Sequence, residues 1–207
     1  PSVAARLRRT NRFILLLSLL GPLLAAGVMV SLHRVGLADV WETLEGVANA
    51  QASLVEAVGE FDARSSSGDV EGGSFAATLS QVIRGQAASV GFGKTGRIWI
   101  GAKEEGTLRA FGDGSAPLPA GVPLEPGSEL YRHLGRAMAG ESGRARFRGV
   151  EGQAVLAVFR PIHVPGGALG ILVQMDRGEA RGHLYLGALV AVLLGGGLVL
   201  LGWGFLA

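Results

Sequence analysis

Cysteine is absent from the 207 residues of this chain, and charged residues make up only 17% of it. Without cysteine the protein can have no disulfide, thiolate metal site or cysteine nucleophile. Basic residues exceed acidic ones only at the N-terminus: four arginines and no acid lie in the first twelve positions, whereas residues 33–183 hold 15 basic and 17 acidic residues. The larger part of the chain is therefore near neutral, and the main argument for nucleic-acid binding is lost.

Two long runs contain no charge at all, residues 13–32 and residues 184–207. A helix of about 20 apolar residues is long enough to cross a bilayer, so both runs are predicted to be transmembrane helices. The first run also fits a cleaved signal peptide, because it follows a basic flank and contains the small residues Ala25, Ala26 and Gly27. Its length exceeds the roughly 7–15 residues of a signal h-region, which favours a retained anchor.

The arginines before the first run predict the orientation in the membrane, because positive flanks stay in the cytoplasm. Residues 1–12 are then a basic cytoplasmic tail, and residues 33–183 form one extracytoplasmic domain between the spans. The chain begins with Pro1 and ends at the second span. We expect from this a fragment whose cytoplasmic output portion is missing.

The extracytoplasmic region combines helical and strand patterns. Apolar residues alternate at spacings of three and four from residue 37 to residue 61, which predicts a long helix with a seam for another helix or for its own domain. A second helix is predicted from Ser74 and a short third one after Ser128. Five strands are predicted at residues 97–101, 107–111, 144–149, 153–161 and 169–175. This order predicts an α+β domain with a five-stranded antiparallel sheet.

Three segments together resemble the PAS-like Cache sensor domains of bacterial receptors such as histidine kinases, chemoreceptors and diguanylate cyclases. They are GKTGRIWIG at residues 93–101 with the following TLRAF, the strand from residue 149 to residue 161, and the closing run that ends in Asp176, Glu179 and Ala180. The resemblance covers roughly residues 36–183, a length that fits the single-lobed version. It implies a bacterial inner-membrane receptor with a small-molecule ligand, a lipid-embedded anchor and a homodimeric state.

In such a fold the ligand lies on the sheet face opposite the long helix, beneath the short helix. The resemblance therefore implies five candidate ligand-binding residues: Trp99, Arg109, Tyr131, Phe159 and Arg160. Trp99 is out of phase with Ile98 and Ile100 on its strand, so its side chain is predicted on the other sheet face. An aromatic residue in a sheet is also a common core residue, and that alternative stays open.

Other motifs have structural alternatives. Residues 88–95 satisfy the loose P-loop pattern, but they follow a helix and open a strand, so a glycine turn is favoured over nucleotide binding. Arg144, Arg146 and Arg148 share one strand face and fit either an anion site or a solvated surface. Glu129 and His133 could share a helix face, yet no third metal ligand or catalytic triad accompanies them. We predict no enzyme activity, cofactor or metal.

Two functions remain for the whole chain. The first is a signal-input region that senses a small ligand and moves the membrane helices. The second is a membrane-anchored assembly protein whose outer domain binds another protein.

Overall fold

The computed structural model describes residues 3–65, 93–104, 106–112, 121–165, 167–180 and 182, and only some of the side chains before residue 34. The chain divides into two compact units. One comprises residues 1–39 and 181–207, and the other runs from Val40 to Ala180. The predicted helix after Ser74 and the second uncharged run lie outside the described residues.

The second unit comprises a six-stranded antiparallel sheet, residues 40–65 of the N-terminal helix α1 (Val3–Ser65) and a short helix α2 from Glu129 to Met138. The strands in spatial order are β3 Val122–Pro123, β2 Thr107–Gly112, β1 Arg97–Glu104, β6 Gly167–Asp176, β5 Ala154–Val164 and β4 Gly143–Arg148. The predicted α+β class and antiparallel sheet are confirmed. Among the described residues, no helix is both long enough and apolar enough to cross a membrane.

The sheet has one strand more than the sequence predicts. Val122 pairs with Ala110 and Pro123 with Arg109, which makes this two-residue segment the edge strand β3. Proline lacks the backbone N–H that a central strand needs, and an edge strand tolerates that loss. Because the surrounding residues are rich in proline, the sequence predicts only a connection here.

Residues 40–65 of α1 cover one face of the sheet through a stripe that shares Leu44 with the predicted seam but is rotated from it. The buried positions are Trp41, Leu44, Ala48, Ala52 and Val55. Two positions of the predicted seam point away from the core, since Leu54 is 53% exposed and Phe61 66% exposed. At about 100° per residue, the buried stripe lies roughly a quarter turn from the predicted one.

Polar contacts add to the packing of α1 on the sheet. Arg144 on β4 donates to Glu45 at 2.6 Å, and its guanidinium lies 5.4 Å from the centre of the Trp41 ring. Glu56 accepts a 2.9 Å hydrogen bond from the backbone N–H of His163. Thus at least one arginine of the alternating β4 row helps to hold the long helix.

Helix α2 covers the opposite sheet face, and two glycines let it approach the strands closely. A Cβ at Gly170 on β6 would lie 2.8 Å from the Ala137 Cβ and 2.9 Å from the Leu134 carbonyl oxygen. A Cβ at Gly101 on β1 would lie 3.2 Å from the Leu134 Cβ. The distance between α2 and the sheet is therefore set by residues that have no side chain.

Two glycine-to-alanine substitutions should change the free energy of unfolding in opposite directions. Gly170→Ala places a methyl group against the α2 backbone and should destabilise the second unit by about 1–3 kcal/mol. Gly135→Ala, in the middle of α2 with open space around its Cα, should stabilise it by about 1 kcal/mol. Chemical denaturation of both variants checks this, and an unchanged or raised stability of Gly170→Ala would contradict the close packing.

Candidate ligand-binding site

Helix α2 begins and ends where its sequence dictates. The Ser128 hydroxyl accepts a 3.2 Å hydrogen bond from the N–H of Tyr131, which caps the first turn. Gly140 follows the last turn with φ of +93°, a conformation that favours glycine. Between these ends, the side of α2 that faces the sheet carries four buried residues, Leu130, His133, Leu134 and Ala137.

An aromatic group lies between α2 and the sheet, and we call it the α2 cluster: Trp99, Tyr131, His133, Phe147 and Phe159. The His133 ring centre lies 5.3 Å from that of Phe147 and 5.1 Å from that of Phe159. Trp99 and Phe159 both pair with Leu172 on β6, so their side chains share the sheet face beneath α2. Ala145 and Ala157 on the same face have small side chains, so the rings are the largest groups in this part of the core.

Two polar atoms of the α2 cluster are buried without a hydrogen-bond partner among the described residues. They are the indole Nε1 of Trp99 and the Nδ1 of His133, whose residue is only 7% exposed. Buried polar groups in folded proteins nearly always have a partner, and leaving one without costs about 1–3 kcal/mol. An apolar wall with a few unpaired polar atoms is the composition of a small-molecule site.

His133 is held in its neutral form by its surroundings. Burial is the largest influence and lowers the pKa of the imidazole, and the neighbouring Arg132 and Arg136 lower it further. Glu129 acts the other way, with its carboxylate 3.5 Å from the His133 Nε2. A neutral imidazole has one nitrogen that donates and one that accepts, and because Nε2 faces a carboxylate that can only accept, Nδ1 is the nitrogen that can accept from a ligand.

The structure brings three of the five predicted ligand residues together. Phe159 is 1% exposed at the centre of the cluster, and Trp99 and Tyr131 pack against the same core as partly buried residues. Trp99 and Phe159 lie on the sheet face that α2 covers, opposite the long helix, and Tyr131 lies on α2 itself. The expected placement of Trp99 away from Ile98 and Ile100 follows directly from the strand register.

The two predicted arginines lie on the other sheet face, with α1. Arg160 donates to the Asn49 side chain on α1, and its Nε is buried without a partner among the described residues. Arg109 donates to the Gly121 carbonyl at 3.1 Å and lies 3.3 Å from the Glu104 carboxylate. The sheet therefore separates both guanidinium groups from the α2 cluster.

A second polar arrangement lies where β1 begins. The Glu179 carboxylate accepts hydrogen bonds from the N–H of Lys94 at 2.6 Å, from the N–H of Thr95 at 2.7 Å and from the Thr95 hydroxyl. The same hydroxyl accepts a 3.0 Å hydrogen bond from the N–H of Asp176. We call this arrangement the Glu179 clasp. Part of the P-loop-like segment thus binds a carboxylate of its own chain.

The clasp keeps Glu179 ionised. Partial burial opposes the charge, but the hydrogen bonds from Lys94 and Thr95, helped by the positive charge of Lys94, outweigh it and lower the pKa of the carboxyl group. Successive backbone N–H groups at a turn form a concave anion site, and here the anion is a side chain.

The sequence did not predict that the His133 ring is buried in the cluster or that Glu179 binds the turn before β1. The spacing of Glu129 and His133 marked a shared helix face, but it indicated a surface pair and not a buried ring. Glu179 stood out only as part of a closing motif, because its partner Thr95 is 84 residues away. Among the described residues, no three His, Cys, Asp or Glu side chains gather as a metal site.

No protein-family model matches this chain, and neither the curated proteins nor the solved structures include a match. The resemblance to Cache sensor domains over residues 93–101 and 149–180 therefore stays a prediction.

The stability of the second unit should fall as the pH drops below 6.5, the ordinary pKa of histidine. The folded protein binds a proton at His133 less readily than the unfolded chain does, so acid favours unfolding. This contribution is fully present above pH 6.5 and is lost progressively down to the lowered pKa of the folded state. Denaturation midpoints measured across this range should show the decline in the parent chain and a smaller one in His133→Gln.

His163→Gln is the matched control, because the side chain of His163 is 80% exposed. It should leave the decline in place. If the parent and His133→Gln lost stability in parallel, His133 would not be the buried neutral group described.

Proposed function

We propose that this chain is the signal-input region of a bacterial membrane receptor. Residues 33–183 form an extracytoplasmic sensor domain, and a small ligand bound at the α2 cluster changes its conformation. The membrane helices at residues 13–32 and 184–207 carry that change to a cytoplasmic output domain. The domain needs no catalytic activity for this role, because a ligand shifts the equilibrium between two conformations by binding one of them more tightly.

One observation carries the ligand-binding part of the proposal: two buried polar atoms of the α2 cluster have no partner among the described residues. The indole N–H of Trp99 can only donate, so it suits an acceptor oxygen of a ligand. The Nδ1 of His133 can accept a hydrogen bond, because Nε2 faces the Glu129 carboxylate, and the rings of Phe147 and Phe159 offer apolar contact. Organic acids and amino acids are small molecules that combine these features, and they are the first ligands to test.

The membrane placement is supported by the sequence. Each of the two uncharged runs has the length of a membrane span, and the arginines precede the first of them. A protein with an extracytoplasmic sensor domain between two such spans would be anchored in the inner membrane.

A homodimer would allow the signal to be read between two copies. The side of α1 next to the buried stripe carries exposed apolar side chains at Leu54 and Phe61. Val47 and Val58 on the same side are partly exposed. We propose that this stripe, Val47, Leu54, Val58 and Phe61, packs against its counterpart in a second chain.

A ligand should raise the unfolding temperature of the full chain in detergent micelles. At a hundred times its Kd, a ligand of the folded state adds about 2.7 kcal/mol, or roughly 5–10 °C for a domain of this size. We expect such a shift from an organic acid or amino acid in a thermal-shift screen. Trp99→Phe keeps a ring but removes the N–H, and it should weaken binding by about tenfold.

Arg109→Ala and Arg160→Ala are the controls from the other sheet face, and both should retain the shift. A shift lost in either of them but kept in Trp99→Phe would place the ligand on the α1 side. A folded chain with no response to any compound would favour the assembly function, in which the outer domain binds a protein.

The proposed dimer can be tested by disulfide formation, since the chain has no cysteine of its own. Leu54→Cys should cross-link two chains in membranes under mild oxidation. Ser53→Cys is the matched control, because it is an exposed neighbour about 100° around the helix. Cross-linking efficiency is read from non-reducing gels, and equal yields from the two variants would contradict the stripe as an interface.

A further inference from the structure

The Glu179 clasp joins the start of β1 to the segment that follows β6. These two strands are the central pair of the sheet. Thr95 lies just before β1, and Glu179 lies in the helical turn at residues 177–180 that follows β6. These strands pair along their length, with Arg97 opposite Gln174 and Gly101 opposite Gly170. Ala180 is 6% exposed, and in sequence the chain continues from it into residues 181–207.

The Thr95 hydroxyl fixes the turn at two points. Its single proton is donated to Glu179, while its oxygen accepts from the N–H of Asp176. One side chain thus holds both the last residue of β6 and the turn that follows. Without this contact, the dihedral angles between Asp176 and Glu179 could vary, and the turn would follow the sheet less closely.

Gly93 is required for the carboxylate to approach. Its φ is +73°, and a Cβ built on it would lie 2.8 Å from the Glu179 Oε1 and 3.2 Å from the Met175 Cε. The turn at residues 93–95 therefore accommodates the Glu179 side chain only because position 93 has none.

We infer that Glu179 is a positioning residue for signal transmission: through the clasp, it makes the segment that leaves the sensor domain follow the start of β1. This inference rests on the proposed sensor function. Trp99 of the α2 cluster lies on β1, four residues after Thr95. A displacement of β1 at the cluster therefore reaches residues 177–180 by two routes, through the pairing with β6 and through the clasp.

The mobility of residues 177–180 tests the clasp without any ligand. A nitroxide attached to Gly178→Cys in the full chain reports on this turn, because a side chain there meets no neighbouring atom. We expect a restricted spectrum in the otherwise unchanged chain and a mobile one with Glu179→Gln. Amide exchange at residues 176–180 should become at least roughly tenfold faster, as for the loss of hydrogen bonds to a charged group.

Glu151→Gln is the matched control. It removes a carboxylate that is paired with Arg97 at 2.7 Å, near the start of β1 but outside the clasp. The spectrum at position 178 should stay restricted in this variant. Equal mobility in the parent, Glu179→Gln and Glu151→Gln chains would overturn the inference.

An acid titration separates the clasp from a general loss of stability. The charged groups next to Glu179 are Lys94 on the facing turn and Asp176 and Arg177 on its own segment. The parent label should become mobile as the pH falls below 4.5, the ordinary pKa of the carboxyl group, while circular dichroism still reports a folded sheet. The Glu179→Gln label should be mobile throughout. A parent label that stays restricted until the sheet unfolds would also overturn the inference.

The coupling to the α2 cluster is tested by a double-mutant comparison. Trp99→Ala should alter the spectrum at position 178 when Glu179 is present and have little effect in the Glu179→Gln background. Equal effects in both backgrounds would refute transmission through the clasp. A clear difference would support it even if the compound screen found no ligand, so the two proposals can fail separately.

Discussion

Burial of β6 on both faces is the constraint on which the second unit depends. All seven residues from Leu169 to Met175 are buried, although side chains of a strand alternate between the two sides. Each side of the sheet must therefore be covered. Residues 40–65 of α1 cover one side with a stripe that includes Ala48 and Ala52, and α2 covers the other above glycines. Small residues at both contacts bring the helices close, so the positions of α1 and α2 are fixed by backbone proximity.

Because both sides of the sheet are covered, polar groups in the interior of the unit are unusual. The face beneath α2 includes Gln174 and His133, each more than nine-tenths buried, and the Nε1 of Trp99. Apolar residues at these positions would make the core more stable, because burying an unpaired polar atom costs folding free energy. On the face beneath α1, Arg144 donates to Glu45 and Arg160 donates through its Nη1 to Asn49 on the helix, although the Arg160 Nε is also buried without a partner among the described residues. The unpaired atoms of the α2 cluster are ring nitrogens among apolar neighbours, whereas Arg160 still has a hydrogen bond to α1.

Strand patterns in the sequence were sufficient to predict five of the six strands, all but the edge strand β3, because alternation and glycine turns are local signals. Three longer-range features were not. The contact face of α1 was predicted a quarter turn away, since Leu54 and Phe61 outweigh Ala48 and Ala52 in hydrophobicity although the alanines are the buried residues. The register placed Trp99 and Arg109 on opposite faces, and two separate strands had to be aligned before that was visible. Contacts between residues 84 positions apart, as in the clasp, leave no periodic trace.

The clasp illustrates how a strong contact can still respond to a small change in the sheet. The N–H groups of Lys94 and Thr95 need an acceptor, and Glu179 provides a charged one. If the carboxylate left, water could take its place at the exposed side of the turn, so the net stabilisation is much smaller than the strength of the individual bonds. Hydrogen bonds also depend steeply on distance and angle. A shift of β1 by a fraction of an ångström would therefore weaken all the bonds to Glu179 together, because they converge on one carboxylate.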